Sequence, residues 1–368
     1  MKHYFTSESV TAGHPDKICD QISDAILDEA LRQDPFSKMA VECTIKDNFI
    51  FVYGEANTKA IMSYDTIAKD VIQSIGYTDA FDVAVKVTQQ SREINRAVEG
   101  NEQLGAGDQG IIFGYACNET ETLMPLSIDL AHKLAKQLEL MFKTDENTPL
   151  QPDGKTQVTV EYQDNKISRV DTIVVSTQHI AEISQEELRN YVQKNVIDAV
   201  VNQKLIDENT KYIINPSGSF IIGGPFGDSG TTGRKIIVDT YGGHGRIGGG
   251  CFSSKDATKV DRSAAYYCRY VAKNIVANHF ADKCEIQVSY AIGMSKPLSL
   301  FIETFNTNHV DISDIYQFVN DNFDFSVQNI INELDLRKPI YRNTATYGHF
   351  GRTDVLFPWE EIKDLPLQ

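Results

Sequence analysis

The chain has 368 residues, 41% of them hydrophobic and 23% charged, enough for two or three units with cores of their own. Its formal net charge of −16 argues against nonspecific attachment to nucleic acid or anionic membranes, so any phosphate site has to be a local island of cations. No apolar run reaches the length of about 18 residues that a membrane span needs, the start of the chain lacks an apolar leader, and six cysteines are scattered singly; a cytoplasmic protein with reduced thiols is expected.

Along the chain one order of elements recurs three times: helix, β-hairpin, helix. In the first unit Ile18, Ile22, Ala25, Ile26 and Ala30 recur at helical spacing. Strands follow over 41–46 and 49–55 around the turn pair Asp47-Asn48, then a second helix with Ile67, Val71 and Ile75. The second unit has a helix through Ile128, Ala131, Leu134 and Leu138, an alternating strand at Val158, Val160 and Tyr162, the turn Asp164-Asn165, and a strand from Ile173 to Val175. Leu188, Val192, Val196 and Val200 close it. The third has Ala264 to Ile275, alternating Ile286, Val288, Tyr290 and Ile292, a return strand through Leu298, Leu300 and Ile302, and closing helices at Ile315 and Val327. Hairpins imply antiparallel strands, so the expected class is α+β: three similar units over 1–93, 105–221 and 223–360, each a mainly antiparallel sheet with helices on one face.

Four stretches carry candidate chemistry. Gly13-His-Pro-Asp-Lys17 stands directly before the first helix, where Pro15 suits the first turn, Asp16 is a candidate cap, and free N–H groups favour anions. His14 and Lys17 do not help a positive helix end, but they suit a phosphate bound there with a divalent ion on Asp16. In the first hairpin, Glu42 lies opposite the apolar face of Val41, Cys43 and Ile45 and reads as an exposed strand residue, while Glu55 ends its strand beside Gly54, facing either a cleft or water.

The segment 90–108 is polar and lacks an apolar face, so it reads either as a lid or as a linker. Its end, Gly105-Ala-Gly-Asp-Gln-Gly110, matches a dinucleotide-binding string, but no strand precedes it and a strand rather than a helix follows, which excludes a Rossmann turn. Asp108 is left as a carboxylate between glycines. The richest stretch, 215–262, concentrates glycines with Arg234, Lys235, Lys255, Lys259 and Arg262, the cationic island that the net charge calls for. It is not a Walker loop, because Lys235 is not followed by Ser or Thr; Asp228 and Asp261, interleaved among the cations, suit magnesium or an ammonium group.

Five strings in order, Gly13-His-Pro-Asp-Lys, Gly105-Ala-Gly-Asp-Gln-Gly, Gly223-Gly-Pro-Phe-Gly-Asp, Gly233-Arg-Lys-Ile-Ile-Val-Asp-Thr-Tyr-Gly-Gly and Lys255-Asp-Ala-Thr-Lys-Val-Asp-Arg-Ser, resemble the bacterial S-adenosylmethionine synthase (methionine adenosyltransferase) family over nearly the whole chain. The resemblance implies three α+β units in a pseudo-threefold arrangement and a homo-oligomer, a dimer of dimers with active sites between subunits. It also implies a reaction of ATP with L-methionine in which sulfur attacks the ribose 5′ carbon. The released tripolyphosphate is then hydrolysed to diphosphate and phosphate. Such a reaction has no proton to remove in its first step, so it calls for alignment and stabilisation of the leaving triphosphate's charge rather than a triad.

Carried onto this sequence, the resemblance implies that His14 hydrogen-bonds the triphosphate near the breaking bond. Asp16 and Asp261 are similar to the ligands of two Mg2+ ions per site, and Glu42 to the K+ ligand, which reverses its exposed-strand reading. Lys155 with Arg234, Lys235 and Lys255 would grip phosphates, beside Asp153 and Gly154. Asp108 would lie close to the reacting centre. Glu55, Gln90, Asp228 and Lys259 are similar to the methionine pocket, and Ser219, Phe220 and Cys251 fall where the family contacts the nucleoside, with Asp228 also at the ATP. Three departures are visible: Ser219 replaces a common Arg, Ile247 a common His, and the lid diverges after Gln90-Ser91, lacking the usual proline at position 92. Two other readings are a noncatalytic regulatory or scaffold subunit of the same fold and a kinase, whose phosphate loop is missing.

Overall fold

The computed structural model describes residues 1–89, 104–363 and 365. Among them each of the three repeats contributes a strand, a long helix and a hairpin. In the first these are β1 (Lys2–Val10), α1 (Pro15–Gln33), β2 (Lys38–Lys46) and β3 (Phe49–Asn57). In the second they are β5 (Gly110–Cys117), α3 (Leu126–Thr144), β6 (Leu150–Gln163) and β7 (Lys166–His179); in the third β9 (Gly230–Thr231), α5 (Val260–Ala277), β10 (Lys283–Tyr290) and β11 (Ser299–Glu303). Between or after these lie α2 (Tyr64–Ile75), β4 (Asp82–Thr88), α4 (Gln185–Val192), β8 (Lys211–Ile214), α6 (Ile312–Asn322) and α7 (Val327–Glu333).

The fold is α+β with three sheets, in the strand orders β1-β6-β7-β8, β11-β10-β5 and β4-β3-β2-β9. No repeat keeps its own first strand. β1 runs antiparallel to β6 of the second hairpin, β5 to β10 of the third, and β9 to β2 of the first, so the strands are passed round in a cycle. Each long helix packs on its own hairpin and on the strand arriving from another repeat, α1 on β2 and β9, α3 on β6 and β1, α5 on β10 and β5. Cyclic exchange at one and the same topological position is the pseudo-threefold relation in chain terms. The antiparallel expectation holds for the hairpins and the exchanged strands, whereas the edge strands β4 and β8 join in parallel after crossover helices.

Helical spacing puts Ile18, Ile22, Ile26 and Ala30 of α1 in a core shared with Val41, Cys43 and Ile45 of β2 and with Cys268, Val271 and Ile275 of α5. A second core, with Leu134 and Leu138 of α3 against Val158, Val160 and Ile173, fills the sheet of β6 and β7. The closing helix of that unit is continuous as expected, but its middle turn, Gln193–Ile197, is widened into a π-helix. No helix among the described residues is long and apolar enough to cross a membrane.

Candidate active site

A second periodicity runs along α1. Asp16, Asp20, Asp24 and Asp28 recur every fourth residue, lie on one face and are all buried. Buried carboxylates need donors, and each of these takes backbone N–H groups from a segment of the third unit. Asp16 accepts from Thr231 (3.0 Å), Asp20 from Gly233 (2.8 Å), Asp24 from Ser254 (3.0 Å), and Asp28 from Tyr341 and Arg342 (2.9 and 2.8 Å). The first three rungs thus dock onto α1 two parts of the glycine-rich stretch 215–262, at 231–233 and at 254.

At the first rung the chain enters α1 through Gly13, where a Cβ would sit 2.4 Å from the Pro152 carbonyl oxygen, so only glycine lets this loop lie against β6. His14, rather than Asp16, caps the helix: its Nδ1 accepts the Asp16 N–H at 3.2 Å. Burial first, and then the charges of Lys235 and Lys155, pull the His14 imidazole down to about 3. It is therefore neutral, and because Nδ1 accepts, the ring proton is assigned to Nε2, which leaves a donor free. Asp16 opposes its own burial with Lys235 Nζ at 2.6 Å and the Thr231 N–H, which together hold its carboxyl below the usual range, and Arg234 lies 3.6 Å away. Lys155 projects exposed from β6, and Asp228 is exposed at the end of the helical turn Gly224–Gly227. Both sit close enough for their charges to act on His14.

Lys17 departs from expectation. It is fully buried, paired with Asp20 at 2.9 Å and with Asp239, and its ammonium is held well above its usual value against burial. Asp153 likewise faces inward. It accepts the Gly224 N–H at 2.8 Å, and burial pushes its carboxyl up to about 6, while Gly154 O accepts the Thr11 N–H.

A second group gathers where α5 begins. Lys255 Nζ lies 2.5 Å from Asp261, in the first turn of α5, and the Lys255 backbone bridges to Ala40 of β2, whose register partner is the exposed Glu55. Glu42 faces this group. Burial raises its carboxyl, against the pull of Lys255 and of Tyr53, its cross-strand partner. Cys251 is half-buried, its thiol pushed up by burial, and its sulfur abuts Gly233. Lys259 is paired with the buried Asp256, which also accepts the Met39 N–H at 2.7 Å. The loop of Asp108 is pinned to this region: Gly107 N–H donates to Thr258 O, Ala106 exchanges hydrogen bonds with Gly293 and Met294, and Gly110 opens β5 rather than a helix.

One member of the expected set lies elsewhere. Arg262 does not belong to the cationic island; it is buried and pairs with Asp24 through both terminal nitrogens at 2.8 Å. Ser219 is exposed, next to Phe220, whose backbone is pinned by His179 through N–H to Nε2 and carbonyl to N–H bonds of 3.0 and 2.9 Å. Gln90 and the divergent lid lie outside the described residues, apart from their end at 104–108. The structural roles of Asp20, Asp24 and Asp28 escaped the motif reading, although their spacing of four was the available signal.

Among the described residues no three His, Cys, Asp or Glu side chains gather as a metal cage. Asp16 and Asp261 nevertheless offer hard carboxylate oxygens, each paired with a lysine, a donor set that fits a magnesium ion shared with phosphate oxygens.

Three family models match in chain order: the S-adenosylmethionine synthetase N-terminal domain over residues 2–99, its central domain over 103–220 and its C-terminal domain over 222–361. The chain belongs to the S-adenosylmethionine synthetase family. It is 51% identical to the S-adenosylmethionine synthase of Clostridium tetani, over 99% of this chain and 98% of that one, and 53% identical to the S-adenosylmethionine synthase of Oenococcus oeni, over 98% and 97%. This member of the family is an enzyme, a methionine adenosyltransferase, and the resemblance carried by the five strings stands.

Proposed function

We propose that the chain joins ATP and L-methionine by attack of the thioether sulfur on the ribose 5′ carbon, and hydrolyses the released tripolyphosphate to diphosphate and phosphate. The observation that carries this reading is the neutral His14 at the start of α1, with its free Nε2–H near Lys155 and Lys235. A sulfur nucleophile loses no proton when it forms a sulfonium, so the barrier is lowered by aligning the reactants and by meeting the charge that grows on the departing triphosphate. Donors fixed before reaction do this with little reorganisation. His14 Nε2–H meets the bridging region, and Lys155, Arg234, Lys235 and Lys255 spread the remaining charge over the phosphate oxygens.

In this reading Asp16 and Asp261 hold two Mg2+ ions and Glu42 a K+ ion; bound magnesium would neutralise phosphate charge. Asp108 lies close to the reacting centre. Glu55, Asp228 and Gln90 take the methionine ammonium side, and Lys259 the carboxylate. Ser219, Phe220 and Cys251 border the nucleoside, beside Asp153 and Gly154. The protein works in the cytoplasm as a dimer of dimers, with sites completed between subunits.

The test is to incubate the purified protein with ATP, methionine, magnesium and potassium and follow S-adenosylmethionine, diphosphate and phosphate together, with Lys155→Ala and Asp16→Asn beside it. Equal amounts of all three products, lost in both variants, support the reading. ADP alone would make the protein a kinase, and no product at all a regulatory subunit.

A further inference from the structure

The segment that carries Arg234 and Lys235 is fastened to α1 at both ends by groups that do not themselves reach the site. At its start the Gly233 N–H donates to Asp20 Oδ1 at 2.8 Å; at its end the Asp239 side chain is paired with Lys17, which is also bonded to Asp20 Oδ2 at 2.9 Å. Lys17, Asp20 and Asp239 are 0 to 2% exposed, so water supplies no substitute partner. Thr232, immediately before this segment, is fixed by its Oγ to Ser23 of α1 at 2.8 Å and by its N–H to the Cys43 carbonyl.

Gly233 has φ +80, and a Cβ there would lie 2.6 Å from the Cys251 sulfur, so its peptide is confined by the backbone as well as by the hydrogen bond. The next two residues are the cations. We propose that Asp20 is a positioning residue: by accepting the Gly233 N–H it sets the direction in which Arg234 and Lys235 leave the backbone, and hence the grip of the site on a polyphosphate. The inference rests on the assignment of these two cations to phosphate.

The charges of the cluster make a clean experiment possible. One lysine serves two carboxylates, so neutralising Asp20 leaves a balanced Lys17–Asp239 pair and no orphaned buried charge. Asp20→Asn and Asp20→Leu have nearly the same volume and both lose the pairing with Lys17; they differ in that asparagine retains an oxygen for the Gly233 N–H. The probe is inorganic tripolyphosphate, its affinity measured by titration calorimetry well below the unfolding temperature of each variant. Asp20→Asn is expected to bind within about twofold of the parent, and Asp20→Leu about tenfold or more weakly, because a displaced charge loses its ligand geometry.

Asp28→Asn is the control. That rung is also buried but holds Tyr341 and Arg342, so its loss should lower the unfolding temperature and leave tripolyphosphate affinity unchanged. Equal affinities for the leucine and asparagine variants would overturn the proposal and reduce Asp20 to a purely structural rung. Should the leucine variant not fold, Asp20→Ala, which also lacks the acceptor, takes its place with the same two outcomes. Lys235→Ala separates the underlying assignment: parent-like tripolyphosphate binding in that variant would remove the phosphate role itself, whereas weakened binding there with no effect at Asp20 removes the positioning role alone.

Discussion

Asp24 of α1 and Arg262 of α5 meet inside the protein as a two-pronged pair, Nη1 to Oδ1 and Nη2 to Oδ2 both at 2.8 Å, with neither side chain more than 1% exposed. The same guanidinium donates to the Lys255 carbonyl and stacks over Tyr341 at 4.3 Å, so the pair ties the first and third units together directly behind Lys255 and Asp261. Arg262→Gln would leave the Asp24 carboxylate without its cation and should destabilise the fold by about 3–5 kcal/mol, measured by urea unfolding. Asp24→Leu combined with Arg262→Met removes both charges and should recover most of that loss. A double variant no more stable than the single one would show that the hydrogen bonds to Ser254 and Lys255, rather than charge balance, hold the junction.

His14 is expected to act as a fixed neutral donor, not as a titrating base. Since burial and two nearby lysines pull its imidazole down to about 3, turnover between about pH 6 and 8 should show no inflection that disappears when His14 is replaced. His14→Asn keeps a good helix cap but has no ring N–H; turnover should fall on the order of 10²–10³-fold, as for loss of one preorganised donor, with a change in stability of no more than about 1 kcal/mol. A large loss of stability with little loss of turnover would make His14 a cap and nothing more.

Much of this arrangement was legible before the structure, and its limits have a physical cause. The apolar periodicity of α1, α3 and α5 and the turn pairs at 47–48 and 164–165 define elements and faces, because those signals are local. Pairing between distant strands has no local signal: nothing in Lys2–Val10 says that it joins β6 and not its own hairpin, so the cyclic exchange is seen only in the folded chain. The sequence assigns Arg262 to the phosphate-binding cationic island because it follows Lys255 and Lys259 in the glycine-rich stretch 215–262. Its burial follows from α5, which turns Asp261 toward Lys255 and the adjacent Arg262 inward to Asp24. The aspartate ladder is readable as a spacing of four on a helix, yet the motif Gly-His-Pro-Asp-Lys points to Asp16 alone of its four rungs.

Buried groups of two kinds act on the pH dependence of stability in opposite directions. His14 and His132, both pulled to about 3, and His244, at about 4, stay neutral in the fold while the unfolded chain takes up their protons below about pH 6.5, so they make stability fall on acidification. Asp153, pushed up to about 6 by burial, holds a proton in the fold that the unfolded chain has already lost above about pH 4; its contribution therefore grows as pH falls from 6 to 4. Asp153→Asn removes this counterweight. Urea unfolding at about pH 6, 5 and 4 should show a steeper decline for the variant than for the parent, by up to about 1.4 kcal/mol per pH unit. Parallel declines would place Asp153 in its ionised form throughout.

The sheet of β5, β10 and β11 is covered by α5 on one face, while the other face shows Ile111 and Phe301, 53% and 44% exposed, in alternation with the buried Ile112 and Ile302. The register places Phe113, Gln287 and Phe301 in one row and Ile111, Ser289 and Ser299 in the next, a face with no charge across six positions. The charges of this face, Glu285 and Glu303, fall in the following row with Tyr115. The uncharged six positions, with Ile111 and Phe301 exposed, lie beside Gly110, where a Cβ would come within 3.2 Å of Asp261, and suit an interface between two copies next to the proposed site. Phe301→Asp sets a charge on the edge strand of that face without touching the core, so the folded chain should remain intact by circular dichroism. Its mass in solution, by light scattering, should shift from an oligomer toward the monomer, and turnover should fall with it. A variant that keeps both its oligomeric mass and its turnover would place the subunit contact on another surface.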